Sequence, residues 1–395
     1  MRLEEHIDDI YDEMVTIRRD FHQHPELGDE EHRTHRKICL YLTAWGIQHT
    51  TIADTGVLGI IQGAKPGKTV GIRGDIDALP LVEANEASYK SLTHGKMHAC
   101  GHDAHTTILL ATAKILNESR DTWSGQVKLF FQPAEETDGG ALRMIQEGCM
   151  ENPKVDYVLG LHVMPHHECG IIELKYDQMN AASDRIFIQI KGKSGHGAYP
   201  HTAVDAIVVS GQVLSALQTV VSRSTAPTNG LVVTVGTIHG GSKYNNIADE
   251  VSMEGTLRSL DEGTRAMAKD KIKKIVTSVA ESFGATAEVW FEEGYAVLVN
   301  DNRVVEMIRG IAESTLGKER VVMKAEPSMG VDDFSYFLRE APGSYYHLGC
   351  GNEAKGISAA LHNCSFDLDE EAMKTGVLIH LKNTLALLNG ALDHA

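Results

Sequence analysis

The sequence predicts an α/β fold: a mostly parallel sheet interrupted by an inserted α+β domain with the ferredoxin-like order βαββαβ. Three observations point there. Short apolar strands recur that end in polar or histidine-bearing segments, helical stretches alternate with them, and the middle of the chain keeps a different rhythm.

Residues 1–50 read as helical. Next, KTVGIRGDIDALPL (68–81) is a short buried strand running into a polar turn, and TTILLATAKILNES (106–119) has helical periodicity. The strand-to-polar form returns in GQVKLFFQPAEE (125–136), VDYVLGLHV (155–163) and GSYYHLGCG (343–351), with DDFSYFLREA (332–341) helical before the last. Such alternation builds a sheet covered by helices, and reactive groups collect at the carboxyl ends of its strands. From 184 the order changes. DRIFIQIKG (184–192) alternates as a strand, TAVDAIVVSGQVLSALQTVVS (202–222) is helical, and GLVVTVGTIHG and EVSMEGTLRSL are two further strands. TRAMAKDKIKKIVTSVAESFG (264–284) is helical again and ATAEVWFEEGY closes with a strand. Residues 184–295 are therefore expected to be an insertion. Residues 1–183 and 296–395 would form one divided domain, because the last segment alone is too short to complete a sheet.

At 395 residues, with 42% hydrophobic and 23% charged residues, the chain is long enough for two cores. A formal charge of −17, without any basic block, argues against a nucleic-acid partner. The N-terminal MRLEEHIDDIYDEM is acidic and amphipathic, and no run is expected to reach the ~18 apolar residues of a membrane span. The expectation is a cytoplasmic protein with no membrane partner. Six cysteines lie far apart without a C-x-x-C pair, which fits reduced thiols rather than a disulfide framework.

The densest chemistry lies in MHACGHDAHT (97–106). Gly101 argues against a helix through Cys100, so His98 and His102 are not expected to form the i, i+4 pair of a helical zinc site. In a loop, Cys100 and His102 can face one ion, since thiolate and imidazole are ligand types that zinc and related metals select. The alternative is a helix start, with Asp103 or Thr106 capping and the histidines solvated. QPAEE places Glu135 and Glu136 just past a strand, where neighbours point in different directions, so one can coordinate while the other faces a substrate. GLHV and ALHN add His162 and His362. Cys100, His102, Glu136, His162 and His362 would supply five ligands, enough for two ions if one group bridges. Two other readings stay open: a structural metal in a binding protein, and a cysteine hydrolase with Cys100 as nucleophile and His102 as base.

These motifs, in this order, resemble the M20 metallopeptidase and amidohydrolase family, and within it the aminoacylase, hippurate-hydrolase and auxin-conjugate-hydrolase branch. The resemblance runs from RRDFHQHPEL (18–27) through RGDIDALPL, MHACGHDAHT, QPAEE, GLHV, GHGAYPH (195–201), NNIADEVSMEGTLR (245–258) and GVDDFSYF (330–337) to LHN (361–363). It implies a catalytic domain that holds two divalent ions (zinc, manganese, nickel or cobalt) and is interrupted by a lid and dimerisation domain. The ligands would be Cys100, His102, Glu136, His162 and His362, with Glu135 as general base and Asp77 orienting a ligand. From the inserted domain, His196 would help hold the scissile carbonyl, and Asn245 and Arg258 would contact the substrate's carboxylate end. The implied substrates are small N-acyl amino acids, with N-acetyldiaminopimelate or dipeptides as alternatives, and the implied assembly is a homodimer or homotetramer. Two positions depart from the family pattern, Ala248 and Cys364 where relatives usually have proline; neither removes a proposed ligand.

Overall fold

The computed structural model describes residues 3–393. Its first helices are α1 (Leu3–Asp9), α2 (Tyr11–Gln23) and α3 (His32–Ala44). On α2 the buried Met14, Ile17, Arg18 and Phe21 recur at helical spacing, so one stripe faces the core. The helical reading of residues 1–50 overshoots, because β1 (Gln48–Ile52) and β2 (Gly56–Gln62) form an antiparallel hairpin turned through the positive-φ residues Ala53 and Asp54. QHTTI is a largely exposed outer strand, and its polar residues carry no apolar period to read.

The chain continues through β3 (Thr69–Asp75), α4 (His102–Glu118), β4 (Gln126–Gln132), α5 (Gly140–Gln146), β5 (Tyr157–Glu168), β6 (Ile172–Leu174) and β7 (Asp177–Asn180). It then builds β8 (Ala182–Lys191), β9 (Gly195–His196), α6 (Ala206–Thr219), β10 (Leu231–Gly240), β11 (Asn246–Ile247), β12 (Glu250–Ser259), α7 (Glu262–Ser282) and β13 (Thr286–Glu293). It ends with β14 (Leu298–Asn300), α8 (Asn302–Leu316), β15 (Val321–Met323), α9 (Phe334–Glu340), β16 (Gly343–Gly351) and α10 (Ala372–Leu388).

The main sheet has the order β1-β2-β4-β3-β5-β16-β6-β15. Its centre, β4-β3-β5-β16, is parallel throughout, and antiparallel pairs occur at β1-β2, β2-β4 and β16-β6. Every residue of β3 is buried, as expected of a strand covered on both faces. Helix α4 is buried nearly all round and packs with α10, α2 and β3 in the interior, so its first turn is fixed by core packing.

The chain divides into two compact units. The larger runs to Met179 and resumes over Val299–Glu326 and from Asp333; the smaller takes Asn180–Leu298 and Pro327–Asp332. In the smaller unit the sheet order is β10-β12-β8-β13, all antiparallel, the arrangement that βαββαβ connectivity produces. Ile186, Ile188 and Ile190 alternate inward from β8 and meet Val209, Val213 and Leu217 of α6 and Ile272 and Val276 of α7. One sequence expectation needs correction. Ala206–Ser224 is long and apolar enough by composition to cross a bilayer. The structure gives part of this apolarity a different use: Val209, Val213, Leu217 and Val220 form a stripe in the core, while Ile207, Val208 and Val221 are exposed.

Candidate metal centre

The site grows from the carboxyl ends of β3 and β4, the start of α4 and the middle of β5, which carries His162. Gly101 precedes α4 with φ 89°, and a Cβ there would lie 2.3 Å from a methyl of Val163, so the turn accepts only glycine. Cys100 thereby stays in the loop and His102 opens the helix. The capping alternative is not what the residues do. No side chain caps α4; Asp103 instead accepts from Arg18 Nε at 2.8 Å and pairs with His22 Nδ1 at 2.8 Å, and Thr106 donates to the Asp75 carbonyl. His98, His102 and His105 are all buried rather than solvated.

The five proposed ligands come together. Donor atoms of Cys100, His102 and His162 lie within 4.8 Å of one another, as do those of Cys100, Glu136 and His362, and those of His102, Glu135 and Glu136. Cys100 Sγ is 3.4 Å from His162 Nε2, and His362 Nε2 is 3.1 Å from Glu136 Oε1. Two of the rings are aimed by their second nitrogens. His162 Nδ1 is 2.7 Å from the Val163 carbonyl, which makes it the protonated nitrogen and leaves Nε2 with a free lone pair. His102 Nδ1 is 3.2 Å from Asp77 Oδ1, while Asp77 Oδ2 accepts the Glu136 backbone N–H at 3.0 Å. Asp77 thus fixes the positions of two proposed ligands at once.

The electrostatics fit a cation. Burial, then Glu136 and Glu135, push the Cys100 thiol well up. Burial opposes protonation of His102, yet Asp75, Asp77 and Glu136 raise it to about 10, so without a metal it holds a proton. Burial keeps His162 well below the usual range and neutral, the form that ligates. His102 Nε2 is buried and makes no hydrogen bond, with Asp75 Oδ2 at 3.5 Å and Glu136 Oε1 at 3.9 Å. Carboxylates gathered round an orphaned imidazole nitrogen and a buried thiol match the borderline-soft donor set of divalent transition metals. The same facts disfavour a Cys100–His102 nucleophile and base: the thiol resists ionisation, and the histidine is already protonated.

Several supporting residues were not singled out from the sequence. Asp75 sits 2.6 Å from Arg73 and 2.6 Å from His105 Nδ1, and His105 Nε2 accepts the Val163 N–H at 2.9 Å. His105 and His162 thereby hold opposite ends of one residue beside Gly101. A signal existed: Asp75 shares a strand face with Asp77, and His105 follows His102 by one helical turn. Buried Glu31 accepts the Ala134 N–H at 2.8 Å and the Thr55 hydroxyl at 2.6 Å, holding Ala134 at φ 55° immediately before Glu135. Strained residues of this kind persist where surrounding contacts over-determine them.

In the smaller unit, His196 on β9 is exposed and lies in register with Asn246, and Gly197 N–H donates to the Asn245 carbonyl, so His196 and Asn245 are close. His196 Nδ1 accepts the Ala198 N–H at 3.1 Å, which leaves Nε2 as the protonated donor. Arg258 stands on β12, half-buried, donating to Thr256 Oγ1 and the Leu257 carbonyl.

A thiol, imidazoles and a carboxylate gathered on an α/β sheet, with an extra carboxylate beside them, define a metallohydrolase. The chain belongs to the peptidase family M20/M25/M40, whose model matches residues 71–384. It is similar to thermostable carboxypeptidase 2 of Saccharolobus solfataricus, 40% identical over 384 residues and covering 96% of each chain. It is also similar to N-acetyl-L-cysteine deacetylase of Bacillus subtilis, 38% identical over 91% of this chain and 85% of that protein. Among solved structures it resembles a dinuclear metal-binding M20 peptidase from Bacillus subtilis, with a TM-score of 0.84 and 30% identity over 97% of this chain and 99% of that one. The protein is an amidohydrolase or peptidase of this dinuclear metal-binding family.

Proposed function

We propose that the protein hydrolyses the amide bond of N-acyl amino acids. The observation that carries the reading is the convergence of Cys100, His102, Glu136, His162 and His362 around Glu135. Two divalent ions held by those five residues (zinc, manganese, nickel or cobalt) would supply a nucleophilic hydroxide and a counter-charge for the tetrahedral oxyanion. Glu135 takes up the proton released from the attacking water and delivers it to the departing amine. Asp77 keeps His102 and Glu136 in place. His196 donates from Nε2–H to the scissile carbonyl, and Asn245 and Arg258 receive the free carboxylate, the arginine in bidentate fashion.

The deacetylase relative supports an N-acyl substrate. The carboxypeptidase relative favours a second reading, removal of a C-terminal residue from a short peptide, which uses the same carboxylate recognition. Exposed Ile207 and Val208 on α6 and the outer position of β10 support homodimerisation through the smaller unit. The six free cysteines support a reducing compartment such as the cytoplasm.

The test is amine release from acetyl, benzoyl and indole-acetyl amino acids, beside N-blocked dipeptides, after loading with each metal. Release from acyl amino acids, abolished by chelation without unfolding, is expected. No release from any acyl amino acid with any of the four metals would overturn the reading.

A further inference from the structure

A second set of metal-type donors lies further along the strand that carries His162. β5 and β16 run in parallel register until Met164 pairs with Gly349, after which Glu168 pairs with Gly351. Four residues advance on β5 while two advance on β16, so Pro165–His167 bulge out of the ladder. Glycine makes this possible: a Cβ on Gly349 would fall 2.1 Å from the Glu168 carbonyl, and one on Gly351 would fall 2.2 Å from that of Pro165. Adjacent side chains of a regular strand point to opposite faces. Here the bulge brings the His166 and His167 rings together, with centroids 4.3 Å apart.

β6 brings a carboxylate to the same place. Glu173 Oε1 is 3.0 Å from His167 Nε2, and donor atoms of His166, His167 and Glu173 all lie within 4.8 Å of one another. Ligands about 2.0–2.1 Å from a tetrahedral ion stand roughly 3.3 Å apart, so small side-chain adjustments suffice to seat one. The other oxygen of Glu173 is already engaged: His347 Nδ1 lies 2.6 Å and Lys324 Nζ 3.4 Å from Oε2. His347 is buried and sits opposite Glu173 in the β16–β6 register. A ligating carboxylate held from behind by a fixed imidazole is the kind of outer support that tunes metal affinity. His166 and His167 also line an open cavity of about 750 Å³ with Glu168, Cys169, Arg320 and Asn352, which gives an ion access and leaves room for water as a further ligand.

We propose that His166, His167 and Glu173 form a third divalent-metal site, separate from the catalytic cluster and taking no part in hydrolysis, with His347 as the positioning residue for Glu173. Two imidazoles and one carboxylate select zinc-class ions (zinc, cobalt, nickel, copper) over magnesium and calcium. The ammonium of Lys324 lies beside the site and opposes the ion's charge, so the third ion binds more weakly than the catalytic pair.

The test uses the full chain, stripped with chelator and equilibrated with zinc across a concentration series, the bound metal being counted by elemental analysis. Wild type is expected to take up one more equivalent than the His166→Ala/His167→Ala double variant, while both variant and wild type fold alike by circular dichroism. Glu173→Gln and His347→Phe should weaken only this last equivalent, by about tenfold or more. The difference is read from stoichiometry, so it stands or falls independently of which substrate is cleaved. Equal zinc uptake by wild type and the double variant would overturn the proposal, as would loss of the extra equivalent in His102→Ala but not in the double variant.

Discussion

Replacing Asp77 with asparagine leaves the shape of the side chain and removes one acceptor. In the native arrangement both oxygens accept, one facing His102 Nδ1 at 3.2 Å and the other the Glu136 N–H at 3.0 Å. Asparagine has one oxygen and one NH2 group. If the oxygen keeps the Glu136 N–H, the NH2 faces His102 Nδ1, and the imidazole must place its proton on Nε2 to accept. Nε2 is the nitrogen directed at the metal cluster, so the new tautomer cannot ligate without a further proton shift. If the amide turns round, its NH2 meets the Glu136 N–H, donor against donor, and the backbone of a second ligand moves. Either way one proposed ligand is compromised. Outer-contact losses of this type weaken metal binding about 10- to 100-fold, equivalent to about 1.4–2.7 kcal/mol. Competition between the protein and a chelator of known zinc affinity measures the change directly, with circular dichroism to confirm the fold. An affinity within twofold of wild type would refute the reasoning that Asp77 acts by aiming His102 and Glu136.

Glu135→Gln should retain wild-type metal content while turnover falls by at least ~10²-fold, whereas Glu136→Gln should lose metal; equal metal loss in both would show that the pair has been assigned the wrong way round. Gly101→Ala must place a Cβ at positive φ against Val163, which costs about 2–5 kcal/mol from left-handed strain and overpacking together; a thermal midpoint equal to wild type would contradict this. Glu31 gives a pH dependence. Burial, with Asp77 adding to it, raises its carboxyl to about 7 from 4.5, so the native state holds the proton more tightly than the unfolded chain. That contribution is complete below pH 4.5 and lost as pH rises to about 7, amounting to no more than about 3 kcal/mol. Urea midpoints of the metal-free chain between pH 4.5 and 8 should therefore fall less steeply in Glu31→Gln than in wild type, and parallel slopes would remove Glu31 as the cause.

By itself the sequence determined the two rhythms of the chain and the chemical identity of the donors. A period of two or of 3.6 residues is a local property, so the strands of the main sheet and the βαββαβ insertion could be read without knowing what they touch. The same holds for Gly101, whose place between Cys100 and His102 ruled out a continuous helix, and for the carboxylate pair after β4. The hairpin β1–β2 escaped because an exposed strand such as QHTTI has no apolar face to alternate. Helix α6 continuing to Ser224 looks the same by composition whether one face is buried or both are, and only packing against β8 and α7 decided which. Which distant residues pair to support the site was invisible for a related reason. Arg18 and Asp103 are 85 positions apart and Gln132 and Asp333 are 201 apart, so neither member announces the other until α2 packs on α4 and the residue before α9 meets the end of β4. The convergence of His166 and His167 depends on a bulge opposite two glycines, in a strand whose regular form would have turned the two rings to opposite faces. Residue type sets what a group can bind, but direction and separation come from the packing of elements distant in sequence, and a metal cluster needs both.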